Sequence, residues 1–308
     1  MKAIYDVCAP AKLNLFLHIT GRRADGYHTL QSAFMLIDWC DTLHFERRFD
    51  GVISREDTGT LLPDDDLTVR AARALRAAAA VRPGANAQGL GVHIGLEKRI
   101  PTQAGMGGGS SDAASTLLAL NRLWQLNLPA QQLLDIGLGL GADVPFFLRG
   151  QNAWVEGIGE QITPITLPLA RFVVLKPQAG VATAQIFKHP DLVRDSAPAI
   201  IMGFAANPFQ FGRNDLQAVA QGLCPSIGEG LDWLQARGLQ GRMTGSGSAV
   251  FAQFEGDRLD ESDRLEISPE MGHVESHIDG RAVDGRFEVK VCRNLQRHPL
   301  SGWLDPAG

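Results

Sequence analysis

The sequence predicts two domains in which strands and helices are mixed, and three observations carry that expectation. The chain has 308 residues, enough for one large or two medium domains with ample core. Runs that alternate with period two, such as Val92, Ile94 and Leu96, are interspersed with runs of helical period, such as Leu67, Ala71, Leu75 and Ala78. The pattern resets around LPLA at residues 167–170, which sets the expected boundary between a first domain, 1–168, and a second, 169–308. Composition is that of a globular protein, 44% hydrophobic and 20% charged. The formal net charge of −5 argues against a nucleic-acid partner, which needs a basic face. No stretch approaches the ~20 continuous apolar residues of a membrane helix. Lys12 and Asn14 interrupt the apolar N-terminal run, and no small-residue cleavage site follows it. Four scattered cysteines, Cys8, Cys40, Cys224 and Cys292, form no metal-ligand spacing and read as reduced thiols, so the expected setting is cytoplasmic.

Taken in order, residues 2–20 read as a strand, a turn and a second strand. In the second, Leu13, Leu15 and Leu17 alternate with Lys12, Asn14 and Phe16, so Lys12 and Asn14 share a face. A lysine there is either a snorkelling surface residue or a charge placed at a site. A polar turn carrying Tyr27 and His28 follows, then an apolar run at 32–38 and an edge strand at 41–49. Residues 64–81 carry helix signals, with acidic residues at the start. After the strand at 92–96 comes PTQAGMGGGSSD, residues 101–112, and then the apolar helical run 113–124. Strand, glycine-rich loop and helix N-terminus form an arrangement suited to an anion, because bare backbone turns N–H groups inward and the helix end adds partial positive charge. A flexible surface loop is the competing reading.

A helix from Pro129 to about Leu140 leads into GADVPFF, where Asp143 sits among apolar neighbours. A carboxylate there either caps a helix or performs chemistry, because burial without a partner is costly. Residues 152–162, with Gly157 and Gly159, read as a hairpin. The second half offers a strand at 171–175, a short helix at 183–187, helical stretches near 215–222 and 228–237, and strands at 250–254 and 287–292. The glycine-serine turn at 244–248 is either a tight turn only or a second wall that closes on the first loop. From 255 to 285 ten acidic residues face three arginines, which resembles a mobile or surface segment.

No Gly-Lys dipeptide exists, so a P-loop is excluded, and neither glycine cluster gives the dinucleotide fingerprint after a strand. In order along the chain, APAKLN (9–14), the loop at 101–112 and TGSGSA (244–249) resemble the three motifs of the galactokinase, homoserine kinase, mevalonate kinase and phosphomevalonate kinase (GHMP) superfamily. RADGYHTLQ and LGADVPFF bring the match closest to the branch that phosphorylates the 2-hydroxyl of a cytidine-diphosphate-linked methylerythritol in non-mevalonate isoprenoid synthesis. The resemblance spans nearly the whole chain. It implies an α+β fold of two domains, the first like domain 2 of ribosomal protein S5 and the second a ferredoxin-like sandwich, with the site in the cleft between them.

The resemblance further implies ATP as co-substrate, with Mg2+ accompanying it, and a small-molecule acceptor as partner. It carries Lys12 and Asp143 over as the catalytic pair. Asn14, Tyr27, His28, Phe34, Thr183 and Phe187 become substrate contacts, with Tyr27 and Phe187 stacking on cytosine and His28 bonding its edge. The ATP contacts become Lys98, Pro101, Thr102, Gln103, Ala104, Gly105, Met106, Gly107, Gly108, Gly109, Ser110 and Ser111. Thr244, Gly245, Ser246 and Gly247 fall near the phosphates. Chemically the set is coherent: phosphoryl transfer to an alcohol needs positioning, a proton acceptor such as Asp143 and charge stabilisation such as Lys12. No acidic ligand for Mg2+ stands out. Gln103 and Ala104 stand where the superfamily often has glycine, and Asp66 where asparagine often holds adenine. A kinase for another small alcohol, homoserine or mevalonate, and a non-catalytic metabolite sensor on the same fold are the alternatives.

Overall fold

The first long strand, β1 (Ala3–Arg22), runs unbroken where a strand, turn and strand were expected. Its bend is absorbed by irregular pairing with β2 (His28–Arg48), with register shifts around Pro10 and after Asn14. The second half of β2 is not an edge: it lies between β1 and β4 (Gly91–Lys98), and its first half also pairs β5 (Ala153–Gly157). The edge is β3 (Ile53–Gly59), parallel to β4, a polar strand that gave no apolar alternation in the sequence. With β6 (Gln161–Pro164) these make a six-stranded sheet. The computed structural model describes residues 1–81, 87–254, 281–283 and 285–304.

Four helices cover one face of this sheet. They are α1 (Leu67–Ala80), α2 (Gly108–Leu123), α3 (Ala130–Leu140) and α4 (Val144–Arg149). Even-numbered residues of β2, Phe34 and Leu36, join the core beneath those helices, while Ala33, Met35, Ile37 and Trp39 point the other way.

The opposite face packs on a second, antiparallel sheet. It runs in the order β10 (Arg281–Val283), β11 (Phe287–Arg293), β7 (Arg171–Pro177), β9 (Val250–Phe254), β8 (Arg242–Met243). Phe172, Val174, Phe251 and Cys292 meet the first sheet, whereas Val173, Leu175, Val250 and Phe287 lie in the core with residues of α5 (Thr183–Lys188), α7 (Gln217–Leu223) and α8 (Pro225–Gln235). Between α5 and α7 lies the short α6 (Ile201–Ala206). The layers therefore run helices, sheet, sheet, helices, an α+β arrangement that hides both faces of both sheets. The chain after β11 returns to the first sheet, where Leu300 joins the helix-side core and the Leu295 N–H donates to the Leu36 carbonyl at 2.8 Å.

Two expectations need correcting or bounding. Cys8 and Cys40 are paired in a disulfide, Cα atoms 5.7 Å apart, where all four cysteines read as free thiols; Cys224 and Cys292 are free and buried. The β1–β2 register sets Cys8 opposite Thr42 and Pro10 opposite Cys40, making the two cysteines diagonal neighbours. The acidic stretch between 255 and 285 lies outside the described residues except for Arg281–Val283 and Gly285. Among the described residues no helix is long and apolar enough to cross a membrane.

Candidate active site

Lys12 is not a snorkelling surface residue. It is 4% exposed on the helix-covered face of β1, and its ammonium lies 4.7 Å from the centre of the Phe34 ring. Burial lowers its pKa from the ordinary lysine value, opposed by the Asp143 carboxylate 3.6 Å away. Asp143 precedes α4 at the capping position, yet its side chain accepts no capping bond. The bland capping role is therefore unfilled, and the carboxylate faces Lys12 with about a third of its side chain open to solvent. Asn14 Oδ1 accepts from the Lys12 ammonium, and its amide donates to Ser32 Oγ at 2.8 Å, so Asn14 and Lys12 hold each other.

The glycine loop lies against this pair. The Lys12 N–H donates to the Met106 carbonyl at 2.9 Å. Gly107 has φ +72°, and a Cβ there would stand 3.3 Å from Lys12 Cε and 3.0 Å from the Phe147 ring. Helix α2 begins directly after it at Gly108, five residues earlier than the apolar run indicates, so Ser110 and Ser111 are already helical. A cavity of about 620 Å³ opens above the loop, lined by residues 101–110, Lys98, Asp66, Thr183, Ser246 and Gly247 among others. Ser111 is not in the lining: it is fully buried and its Oγ has no hydrogen-bond partner.

Lys98 is less free than a phosphate ligand would be. Its ammonium is bonded to Asp41 and, at 2.7 Å, to Asp112, and both carboxylates are fully buried. Burial pushes the Asp112 carboxyl well above its usual range, and Asp41 adds to the push while Lys98 opposes it. Asp41 also accepts from the Arg99 and Ile100 N–H groups at 2.6 and 2.7 Å, so the triad anchors the chain where it enters the loop. Asp41 carried no sequence signal; Asp112 closes the Ser-Ser-Asp motif and could have been suspected.

The departures from the superfamily pattern have physical explanations. Gln103 adopts φ +52°, the left-handed region that favours glycine. Ala104 is buried in the core between the two sheets. Asp66 caps α1 by accepting from the Val69 N–H at 3.1 Å and is paired with Arg55, which also grips Asp57, so its charge is compensated at the cavity wall.

The third motif closes on the first two. The Asn14 N–H donates to Thr244 Oγ1 at 2.9 Å, and the Ser248 and Ala249 N–H groups donate to the carbonyls of Gln103 and Ala104 at 3.2 Å. A Cβ on Gly245 would lie 2.7 Å from the Gly105 carbonyl. Thr183 shares a 2.6 Å hydroxyl hydrogen bond with Ser246. The turn at 244–248 is thus a wall of the site.

The remaining residues divide. Phe187 and His28 are brought together, ring centres 5.2 Å apart at 34°, although 159 residues separate them. Tyr27 is 62% exposed, and Phe34 is buried beneath Lys12, edge-on to Phe146, so it reaches the cleft only through Lys12. Among the described residues no group of three or more His, Cys, Asp or Glu side chains could hold a metal ion.

Similarity to known proteins extends over nearly the whole chain. Models described as the GHMP kinases N-terminal and C-terminal domains match residues 66–151 and 198–268. Proteins named 4-diphosphocytidyl-2-C-methyl-D-erythritol kinase share 62% identity over 303 residues in Albidiferax ferrireducens (98% of this chain, 96% of that protein) and 58% over 308 residues in an Acidovorax species (99% of each). A crystal structure of 4-(cytidine 5'-diphospho)-2C-methyl-D-erythritol kinase superposes with a TM-score of 0.68 at 37% identity, covering 81% of this chain and 90% of that one. Homoserine kinase from Cytophaga hutchinsonii superposes with a TM-score of 0.61 at 15% identity, over 83% of this chain and 86% of that one, a likeness of fold alone.

Proposed function

The chain belongs to the GHMP kinases, in the family of the 4-diphosphocytidyl-2-C-methyl-D-erythritol kinases, and from that premise we propose that it transfers the γ-phosphate of ATP to the 2-hydroxyl of 4-diphosphocytidyl-2-C-methyl-D-erythritol, giving the 2-phosphate and ADP. The observation that carries this reading is the Lys12–Asp143 pair, 3.6 Å apart and set directly against a glycine loop that borders a nucleotide-sized cavity. A division at 168/169 fits it, since all strands of the first sheet precede that point and all strands of the second follow it.

In this reading Asp143 accepts the hydroxyl proton as the substrate oxygen bonds to phosphorus and the bond to the ADP oxygen breaks. Lys12 stabilises the charge on that oxygen and on the transferring group, and Asn14 keeps the ammonium aimed. The N–H groups of the loop and the start of α2 receive the phosphates, with Ser110 at their edge. Mg2+, arriving with the nucleotide, would screen phosphate charge. Phe187 and His28 form one side of the base pocket, and exposed Tyr27 is free to close over the other. The aimed pair weighs against a non-catalytic sensor.

Asp143→Asn tests the assignment. It should lower kcat by about 10²–10⁴-fold, the usual worth of a general base, and leave ATP affinity unchanged. Steady-state rates that survived the substitution would remove Asp143 from this role.

A further inference from the structure

We infer that Arg194 is a positioning residue that fixes His28 as a hydrogen-bond donor and holds Phe187 against it, so that this corner of the cleft selects cytosine over uracil. The inference rests on the substrate reading above for the identity of the base, and on geometry alone for the action of Arg194.

A guanidinium has five N–H donors and no acceptor. Here all five have an oxygen or nitrogen to meet. Nε donates to His28 Nε2 at 3.1 Å. One terminal nitrogen donates to the Leu192 and Pro190 carbonyls at 2.9 and 3.4 Å, the other to the His189 and Phe187 carbonyls at 2.7 and 3.1 Å. Four of these acceptors belong to the end of α5 and the chain just after it, so one side chain ties that turn to the imidazole. The same turn carries the Phe187 ring that lies 5.2 Å from His28. A lysine could not reproduce this, having three donors on a single nitrogen.

The consequence for His28 is a fixed tautomer. Because Arg194 only donates, His28 Nε2 must offer its lone pair, and the single proton of the neutral ring sits on Nδ1. Protonating Nε2 would set N–H against N–H and add a third positive charge near Arg194 and Arg22. Burial first, and then those two arginines, accordingly lower the pKa of His28 below the ordinary histidine value. The Nδ1–H points away from Arg194 and is available to an acceptor. Cytosine offers adjacent acceptors at O2 and N3, whereas uracil carries a hydrogen on N3.

The test compares wild type, Arg194→Ala and Arg194→Lys by nitrogen-15 NMR of His28 without ligand, and by binding of cytidine 5'-diphosphate and uridine 5'-diphosphate. Wild type should show an unprotonated Nε2 and prefer the cytidine nucleotide. Arg194→Ala should release the tautomer, raise the His28 pKa toward the ordinary value and weaken cytidine diphosphate about tenfold, the worth of one good hydrogen bond. It should weaken uridine diphosphate less and leave binding of a non-hydrolysable ATP analogue unchanged. Arg194→Lys should show the same changes to a smaller degree and carries the test if the alanine variant does not fold. An unchanged tautomer and pKa in a folded variant would overturn the role of Arg194 and leave the substrate reading standing. A wild type that binds both nucleotides equally would overturn the selection of cytosine, whatever the NMR shows of Arg194.

Discussion

At the scale of single residues, the pair of Lys12 and Asp143 illustrates how burial and partnership compete. Taking an ammonium out of water favours its neutral form, and a carboxylate at 3.6 Å restores only part of the loss, so the folded pKa of Lys12 lies below the ordinary lysine value. The sign follows: Lys12 is a cation below that lowered pKa and loses its proton as pH rises through it, earlier than an exposed lysine would. The kcat/KM profile should therefore fall on its alkaline side before the ordinary lysine range of about 10.4 is reached. Lys12→Arg, which stays charged, should flatten that limb even as its different shape lowers kcat. An alkaline limb unmoved by Lys12→Arg would assign the titration to another group.

At the scale of elements, the returning C-terminal segment carries a buried histidine whose protonation opposes the fold. His298 is 1% exposed; its N–H donates to the Gly150 carbonyl at 2.8 Å, and its Nδ1 accepts from the Leu300 N–H at 3.0 Å. Its Nε2 has no hydrogen-bond partner. Burial takes its pKa down to about 4. A depressed histidine contributes stability that is complete above about 6.5, the unfolded value, and is lost progressively as pH falls from there to about 4. Lowering the pH from 7 to 5 should cost about 2 kcal/mol from this residue. Denaturant melts at the two pH values check it: His298→Asn, whose amide oxygen can accept from Leu300, should show a smaller difference between them. An equal difference in both proteins would place the acid sensitivity elsewhere.

At the scale of the molecule, the cleft is held together by backbone meeting backbone across the two sheets' domains. Gly105 has φ +74°, and a Cβ there would lie 2.2 Å from the Thr244 carbonyl oxygen and 2.9 Å from the Gly247 nitrogen. Neither neighbour can yield as a side chain would. Gly105→Ala should therefore destabilise the protein by about 1–3 kcal/mol through strain alone and weaken nucleotide binding, because the loop and the 244–248 turn must part. Calorimetry with an ATP analogue and thermal melts read both effects. A variant of unchanged stability would show that the seam has slack that the contact distances deny.

Legible along the chain were a glycine loop at a helix start, Lys12 and Asn14 on one strand face, Asp143 in an apolar turn, and a mixture of strands and helices. These are local, because periodicity and turn composition act over a few residues. Which reading of each piece holds depends on contacts made in the folded chain. Asp143 meets Lys12 instead of capping its helix, Lys98 is bound to Asp41 and Asp112, and the turn at 244–248 is a wall of the cleft. The same holds for the Cys8–Cys40 bridge, the central place of β2 and the grip of Arg194 on His28. Each joins residues between 14 and 230 positions apart, through register and packing that no neighbouring residue encodes.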